Sequence, residues 1–410
     1  MGKIELDHTG TGGGITLSSD GTDLLLDGTA IGGGGGTALE LYAENPVTPV
    51  APSATGTNAV AIGDGSVASG FNSLSFGKDS DATQANNIAI GRLSQSTGTN
   101  GALAIGFYAS ASGERSISVG SGTSALSSVS AGLGSVAIGN SYASGADSFA
   151  AAIANNTATY GATGANSVAI GYQAKATATG AMAFGDRNTA SGEDAVVFGE
   201  SNTGSGPWSF TAGRSNVNSG SRGVALGNAH TVSSFYTTAL GSSNTASQNY
   251  CTAIGSNSLA DKQGKLAHAS LGFGTDGDAQ YGRMVLAKAT TDATPVALTS
   301  IAGNPASDIN QIILPNNSAY FFSGTIVARQ DAASGTDLGA WEIKGAIRRE
   351  GSAATTTLVK STIDDFNVPA GWVVALSADT TNGGLAITVT GAAATNIRWV
   401  ATVNTSEVTY

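Results

Sequence analysis

Ser167-Val168-Ala169-Ile170-Gly171, followed by Tyr172-Gln173-Ala174-Lys175 and Ala176-Thr177-Ala178-Thr179-Gly180, is one turn of a pattern that runs along much of the chain. The larger Val168 and Ile170 alternate with Ala169, the period of a β-strand with two unlike faces. Outward from this stretch the apolar tag recurs with its glycine at Gly171, Gly185, Gly199, Gly213, Gly227, Gly241 and Gly255, every step fourteen residues. On the N-terminal side Gly63, Gly77, Gly91, Gly106 and Gly120 step by fourteen, fourteen, fifteen and fourteen, and an irregular stretch through Gly139 and Ala152-Ile153-Ala154 joins the two runs. A second glycine sits seven residues further on at Gly70, Gly98, Gly113, Gly192, Gly206 and Gly220.

The unit is two half-turns of seven, each a short strand plus a turn in which glycine permits positive φ without a Cβ penalty. Such self-similarity predicts parallel coils stacked at about 4.8 Å, so a dozen of them make a rod on the order of 60 Å long. So thin a coil cannot hide both of its apolar faces, and the alanine-rich face is expected to pack closely against a neighbouring chain. Threefold symmetry is the natural closed arrangement, and composition also permits a dimer.

Ser167-Val168-Ala169-Ile170-Gly171 with Ala176-Thr177-Ala178-Thr179-Gly180 resembles the head repeats of trimeric autotransporter adhesins, the YadA-like heads, over roughly residues 57–260. That resemblance implies a left-handed parallel β-roll that associates as a homotrimer. A long heptad stalk and a C-terminal set of amphipathic membrane strands, which a complete adhesin of that type carries, are not found in the sequence.

Residues 1–36 read as short strands broken by glycine, with Ile15-Thr16-Leu17 and Leu24-Leu25-Leu26 before the run Gly32 to Gly36, and are expected to anchor the chain. Residues 37–56, with Pro46, Pro49 and Pro52, read as an extended linker. The opening from Ile4 to Ile31 resembles N-terminal segments of structural proteins of tailed bacteriophages. The fourteen-residue rhythm stops at Ala260, and residues 261–290 read as a junction. Residues 291–410 are rich in β-branched and aromatic runs such as Tyr320-Phe321-Phe322 and Trp372-Val373-Val374, spaced as the seven to nine strands of a β-sandwich. This terminal stretch, including Ile313-Leu314-Pro315-Asn316-Asn317-Ser318 and Asn396-Ile397-Arg398-Trp399-Val400, resembles C-terminal domains of phage and prophage fibre proteins.

Composition narrows the chemistry. Only 11% of the 410 residues are charged, 58 are glycine, and glycine has no three-residue period, which excludes collagen. The net charge of −11, about −33 in a trimer, opposes binding to nucleic acid. Met1 to Asp7 lacks the apolar core of a secretory signal and no long apolar run follows, so a chain made in the cytoplasm without membrane insertion is expected. The lone cysteine, Cys251, reads as a small buried apolar residue.

His8, His230 and His268 have no partners at metal-ligand spacing, and His230, where repeats turn, reads as a surface polar residue. Asp186, Glu193 and Asp194 form the densest carboxylate group and read as solvated turn charges rather than a glycosidase pair. Gly274-Thr275-Asp276-Gly277-Asp278 could hold Ca²⁺ only with further ligands, and reads as a turn. Arg348-Arg349, Trp341, Trp372 and Trp399 could stack on sugars, though strand alternation places most of the tryptophans in a core.

The sequence therefore predicts an all-β homotrimeric fibre or spike, without enzymatic activity or cofactor, carried on the surface of a phage virion. Its expected partners are sister copies, a capsid or tail protein at the N-terminus, and a host cell-surface glycan or protein at the C-terminal domain. A head fibre or capsid decoration protein, or a bacterial adhesin fragment, fits the same repeats.

Overall fold

Seven residues hold one strand and one turn, and fourteen return the chain to the same wall one coil further along. The computed structural model describes strands 4–6, 15–19, 24–26, 29–30 and 39–41, residue 48, and residues 50–123, 127–151, 159–333 and 335–410. Gly32 to Gly36, Pro46, Pro49, His8 and Ala152 to Ala154 lie outside the described residues. The chain divides into two units, Met1–Ser144 and Gly145–Tyr410.

In the first unit Ile4–Leu6, Ile15–Ser19, Leu24–Leu26 and Thr29–Ala30 form an antiparallel meander. The coils follow, built as two parallel walls. One wall stacks Leu39–Leu41, Val60–Ile62, Leu74–Phe76, Ile88–Ile90, Leu103–Ile105, Ile117–Val119 and Val136–Ile138. The opposite wall is made of two-residue strands from Ser53–Ala54 through Val67–Ala68 to Tyr142–Ala143.

The second unit repeats this plan from Phe149–Ala151 to Leu266–Ala269 on the first wall and from Gly161–Ala162 to Leu259–Ala260 on the second. From Met182–Asp186 to Thr252–Ser256 the first-wall strands lengthen to five residues and keep a register of fourteen.

All the repeat glycines, Gly63 to Gly255, have positive φ, between +72° at Gly139 and +158° at Gly120. At Gly213 a Cβ would also lie 1.9 Å from the Gly227 carbonyl oxygen of the next coil, so both conformation and stacking demand glycine. The second glycines differ from expectation. Gly70, Gly98, Gly113, Gly192, Gly206 and Gly220 are not the residues with positive φ; that conformation falls two positions later, on Asn72, Arg115, Asp194, Trp208 and Arg222 among others. They are glycine because the next coil approaches closely: a Cβ at Gly206 would stand 2.1 Å from the Gly220 oxygen.

The direction of the two faces also reverses the expectation. Ala61, Ala89, Ala104, Ala169, Ala183, Ala225, Ala239 and Ala253 point into the coil and are fully buried, so alanine forms the interior. The larger neighbours point outward. Two walls this close leave room chiefly for small side chains, and where Val197 points inward the residue across from it is Gly204, whose Cβ would lie 2.6 Å from Val197 Cγ2. Many of the buried hydroxyls and amides are satisfied by backbone, as where Ser96 Oγ donates to Ala102 O at 2.8 Å and Asn87 Nδ2 donates to Ser96 O and Gly98 O, whereas Ser66, Ser116 and Ser209 Oγ and Thr211 Oγ1 have no partner among the described residues.

The C-terminal part of this unit is a sandwich of two antiparallel sheets. The first has strand order Ala279–Thr290, Ile397–Thr409, Ser318–Gln330, Leu338–Arg349 and Thr357–Asn367. In the second, Gly384–Thr390 pairs with Val373–Asp379 along one edge and with Val296–Ala297 and Ile312–Ile313 along the other. Alternation along the strands puts Leu286, Phe322, Ile326, Ile343, Leu385 and Val403 into one shared core. Trp341, Trp372 and Trp399 lie in it too, with Trp341 and Trp399 stacked at 5.4 Å and Trp399 Nε1 donating to Thr290 Oγ1.

Candidate interaction surfaces

The outward residues of the first wall form two columns. Val60, Leu74, Ile88 and Leu103 lead one in the first unit, and Ile62, Phe76, Ile90 and Ile105 the other. In the second unit Val168, Met182, Val196, Phe210 and Val224 continue the pattern beside Ile170, Phe184, Phe198, Ala212 and Leu226. These side chains stack on one another, as Phe184 does on Phe198 at 4.8 Å and 9°, yet their outer surface meets solvent: Phe76 is 49% and Phe198 40% exposed. Ladders of this length exceed the scattered apolar residues of an ordinary surface. The second wall is mostly polar outside, with Asp81, Gln95 and Ser110 in the first unit and Lys175, Thr189, Thr203, Thr231 and Thr245 in the second.

The turns carry further ladders. Trp208, Arg222, Tyr236 and Tyr250 occupy the same left-handed position in four successive coils and are exposed. Arg222 lies over the Trp208 ring at 4.5 Å and the Tyr236 ring at 5.3 Å, and Tyr236 stacks on Tyr250 at 5.4 Å. Asp186 ends a first-wall strand and meets Arg187 at 3.0 Å, and Arg187 reaches Glu200 of the next coil at 3.3 Å. Glu193 and Asp194 sit in the turn on the other side of the coil, so the three carboxylates do not converge.

His230 is buried, which corrects its reading as a surface residue. It belongs to a column three residues after each repeat glycine: Asn188, Asn202, Asn216, His230, Asn244 and Ser258. Asn202 Nδ2 donates to Phe198 O and Gly213 O, and its Oδ1 accepts the Asn216 backbone N–H at 2.9 Å. His230 N–H donates to Asn216 Oδ1, its Nδ1 accepts the Asn244 N–H at 3.1 Å, and its Nε2 faces Leu226 O at 3.0 Å. The ring is therefore neutral with its proton on Nε2, and burial pushes its pKa below the ordinary histidine value. His268 lies on the outward face of the last first-wall strand and is exposed. Cys251 is buried among Ala239, Ala253 and Ala260, its thiol donates to Ala260 O at 3.0 Å, and burial raises its pKa to about 11.

The loop Gly274 to Asp278 closes on itself. The Asp278 carboxylate accepts N–H groups of Phe273, Gly274 and Thr275 at 2.7–3.0 Å. Those bonds, Thr275 first, hold its pKa below the usual carboxylate value. Asp276 accepts from Thr245 Oγ1 and Asn257 Nδ2. With its acceptor sites occupied by fixed donors, the pair is a turn and does not fit a Ca²⁺ ligand set. Among the described residues no cluster of three or more His, Cys, Asp or Glu has metal-binding geometry, and no helix is long and apolar enough to cross a membrane.

One buried ion pair gave no sign in the sequence. Lys265, in the last coil, meets Glu407 of the final strand at 2.7 Å, both nearly inaccessible. Gln280 Nε2 and Thr405 Oγ1 also donate to that carboxylate, at 2.7 and 2.6 Å. Arg349 donates to Leu314 O at 2.7 Å, while Arg348 is exposed beside Glu350.

Coils of alternating large and small residues, fourteen to the turn and closed by a glycine of positive φ, are now complete in both units. Segments 54–80, 68–94, 100–123, 162–188, 176–200 and 233–258 match the YadA head domain repeat. Successive matches begin fourteen residues apart where they overlap, so the YadA head repeat and the structural coil are the same unit. The sandwich lies outside the matched segments. No curated protein matches the chain.

Proposed function

We propose that the chain is a structural attachment protein that works as a homotrimeric fibre, with its YadA-like coils packed against sister copies through the outward apolar columns. The observation that carries this is the reversal of faces: alanine fills most of each coil, and Val, Ile, Leu, Met and Phe are left outside in columns concentrated on the first wall. An apolar surface continuous along stacked coils is stabilised by burial against identical neighbours. The left hand of the roll and the number three come from the resemblance to adhesin heads. Threefold repetition of the C-terminal sandwich gives avidity for a cell-surface glycan or protein without new contacts.

The finer reading is a fibre or spike of a tailed-phage virion, displayed on the virion surface and held to capsid or tail protein by residues 1–36. It is supported by the likeness of Ile313 to Ser318 and Asn396 to Val403 to phage-fibre C-terminal domains. Light scattering of the purified protein tests the assembly: three chains of 40.3 kDa give about 121 kDa, and a stable soluble species of one chain refutes it. Cryo-electron microscopy of virions with labelled N-termini tests the placement, which fails if no label decorates capsid or tail.

A further inference from the structure

A groove of about 530 Å³ opens where three neighbouring strands of the five-stranded sheet end, between Ala289 to Thr291, Arg329 to Ala332 and Asn396 to Arg398. It lies at the Thr290 end of the strand whose other end, near Tyr281, pairs with the last coil at His268. Nine residues of extended chain separate Tyr281 from Thr290, about 30 Å. The groove therefore sits on the part of the sandwich farthest along this strand from the coils.

Two arginines define its chemistry. Arg329 and Arg398 are directly opposite in cross-strand register, and both are exposed. Side chains so placed have Cβ atoms about 4.5–5.5 Å apart, and like charges in this position are unfavourable unless something between them is negative. Among the described residues neither arginine forms an ion pair; Arg329 donates to the backbone oxygen of Asp337 at 3.1 Å. The one carboxylate on the groove wall, Asp331, accepts the Ala333 N–H at 3.0 Å. In a chain of net charge −11, two exposed arginines opposite each other in register, neither in an ion pair among the described residues, mark a place where an anion is to be supplied from outside.

We propose that this groove binds the carboxylate groups of an acidic glycan. The planar forks of two adjacent guanidinium groups match a carboxylate, and water is displaced from both at once. Thr291 and Asn396 offer hydroxyl and amide groups to sugar hydroxyls, and the methyls of Ala289 and Ala332 offer apolar contact to sugar C–H faces. The volume falls within the roughly 300–1,000 Å³ of clefts that hold small ligands. The inference rests on the attachment role proposed above and names its ligand class and its residues.

Calorimetry of the full-length assembly with trigalacturonate, its methyl ester and dextran sulfate tests this, alongside Arg329→Gln, Arg398→Gln and the double variant. Both arginines are exposed, so the variants are expected to keep the parent's circular dichroism and mass. Trigalacturonate should bind the parent, weaken at least tenfold in the double variant and weaken with added salt, while the uncharged ester should not bind. No heat with millimolar trigalacturonate, equal binding of the ester, or an unaffected double variant overturns the proposal, and dextran sulfate binding as tightly as trigalacturonate overturns the carboxylate class. Adhesion to cells with an acidic capsule separates the two claims. A double variant that adheres like the parent removes the groove and leaves attachment standing, whereas a parent that binds trigalacturonate but adheres to no such cell leaves the groove and removes attachment.

Discussion

Replacing His230 tests the buried polar column that ties successive coils together beside the five-residue strands. In that column an asparagine does two things: it donates its amide to carbonyls four residues back and eleven ahead, and it accepts the backbone N–H of the next coil, as Asn202 and Asn216 do. His230 keeps the acceptor role on Nδ1 and gives Nε2–H to Leu226 O. A proton on Nδ1 would turn acceptor into donor against the Asn244 N–H. The folded-state pKa therefore lies below the reference value of 6.5, chiefly through burial. The unfolded chain takes up the proton first, so the stability contributed by the neutral ring is present above about pH 6.5 and is lost as pH falls from there through the depressed folded value. His230→Asn supplies both roles without a titrating group. It should lie within about 1 kcal/mol of the parent at pH 7.5, one net hydrogen bond either way, and should lose less stability on going to pH 5. His230→Leu instead orphans the buried Asn244 N–H and Leu226 O at about 1–3 kcal/mol each, or about 2–6 kcal/mol per chain. Guanidinium unfolding at one fixed protein concentration reads all three, since an oligomer's midpoint depends on concentration. Parallel pH dependence of the parent and His230→Asn, or a His230→Leu protein as stable as the parent, would refute the reasoning.

Ile170→Asp changes an outward position and leaves the coil's hydrogen bonds intact, so the protein should stay β-rich while its light-scattering mass falls toward one chain of 40.3 kDa; an unchanged mass contradicts the wall assignment. Gly204→Ala should cost about 1–3 kcal/mol by overpacking against Val197, and Val197→Ala in the same chain should recover most of it; strictly additive effects in a double-mutant cycle would sink the pairing. Lys265→Met leaves the Glu407 carboxylate buried without its cation and should destabilise the C-terminal unit by about 3–5 kcal/mol, seen as a lowered midpoint in thermal unfolding; an unmoved midpoint would mean that Gln280 and Thr405 suffice.

The period was legible because it is a backbone requirement. At Gly213 no side chain survives both a φ of +119° and an oxygen 1.9 Å from its Cβ, so the coil length is written in glycine whatever else varies. The inside and outside of the coil were not legible from the same alternation. Amphipathic reasoning sends the larger apolar residue inward, which holds for the sandwich, where Trp341, Trp399 and Phe322 are buried. It fails in a coil only two strands thick, whose facing walls admit alanine and serine and make even Val197 depend on Gly204. The asparagine column was visible as Gly185 with Asn188, Gly199 with Asn202 and Gly213 with Asn216, but a polar residue in a turn is ordinarily read as solvated. Lys265 and Glu407 are 142 positions apart, and no local pattern links them.

A stack of parallel strands always ends in an open edge, and an open edge recruits strands from other molecules. In the second unit the last first-wall strand, Leu266–Ala269, is instead paired antiparallel with Tyr281 to Arg283, the beginning of the sandwich's first strand. The second wall is finished by a side chain: Gln280 Oε1 accepts the Leu259 N–H at 2.9 Å and Gln280 Nε2 donates to Leu259 O at 3.1 Å, imitating the next strand of the ladder. Lys265 and Glu407 then tie coil to sandwich where solvent does not reach. The sandwich is thus the cap of the coils as well as a separate core. The pairing of the two in one chain follows from strand-edge chemistry before any function is invoked: cutting after Ala269 should leave coils that aggregate through the exposed Leu266–Ala269 edge, seen as a rise in light-scattering mass, whereas Gln280→Ala in the full chain should leave that edge covered while opening the Leu259 end of the cap and removing one donor from the Glu407 carboxylate.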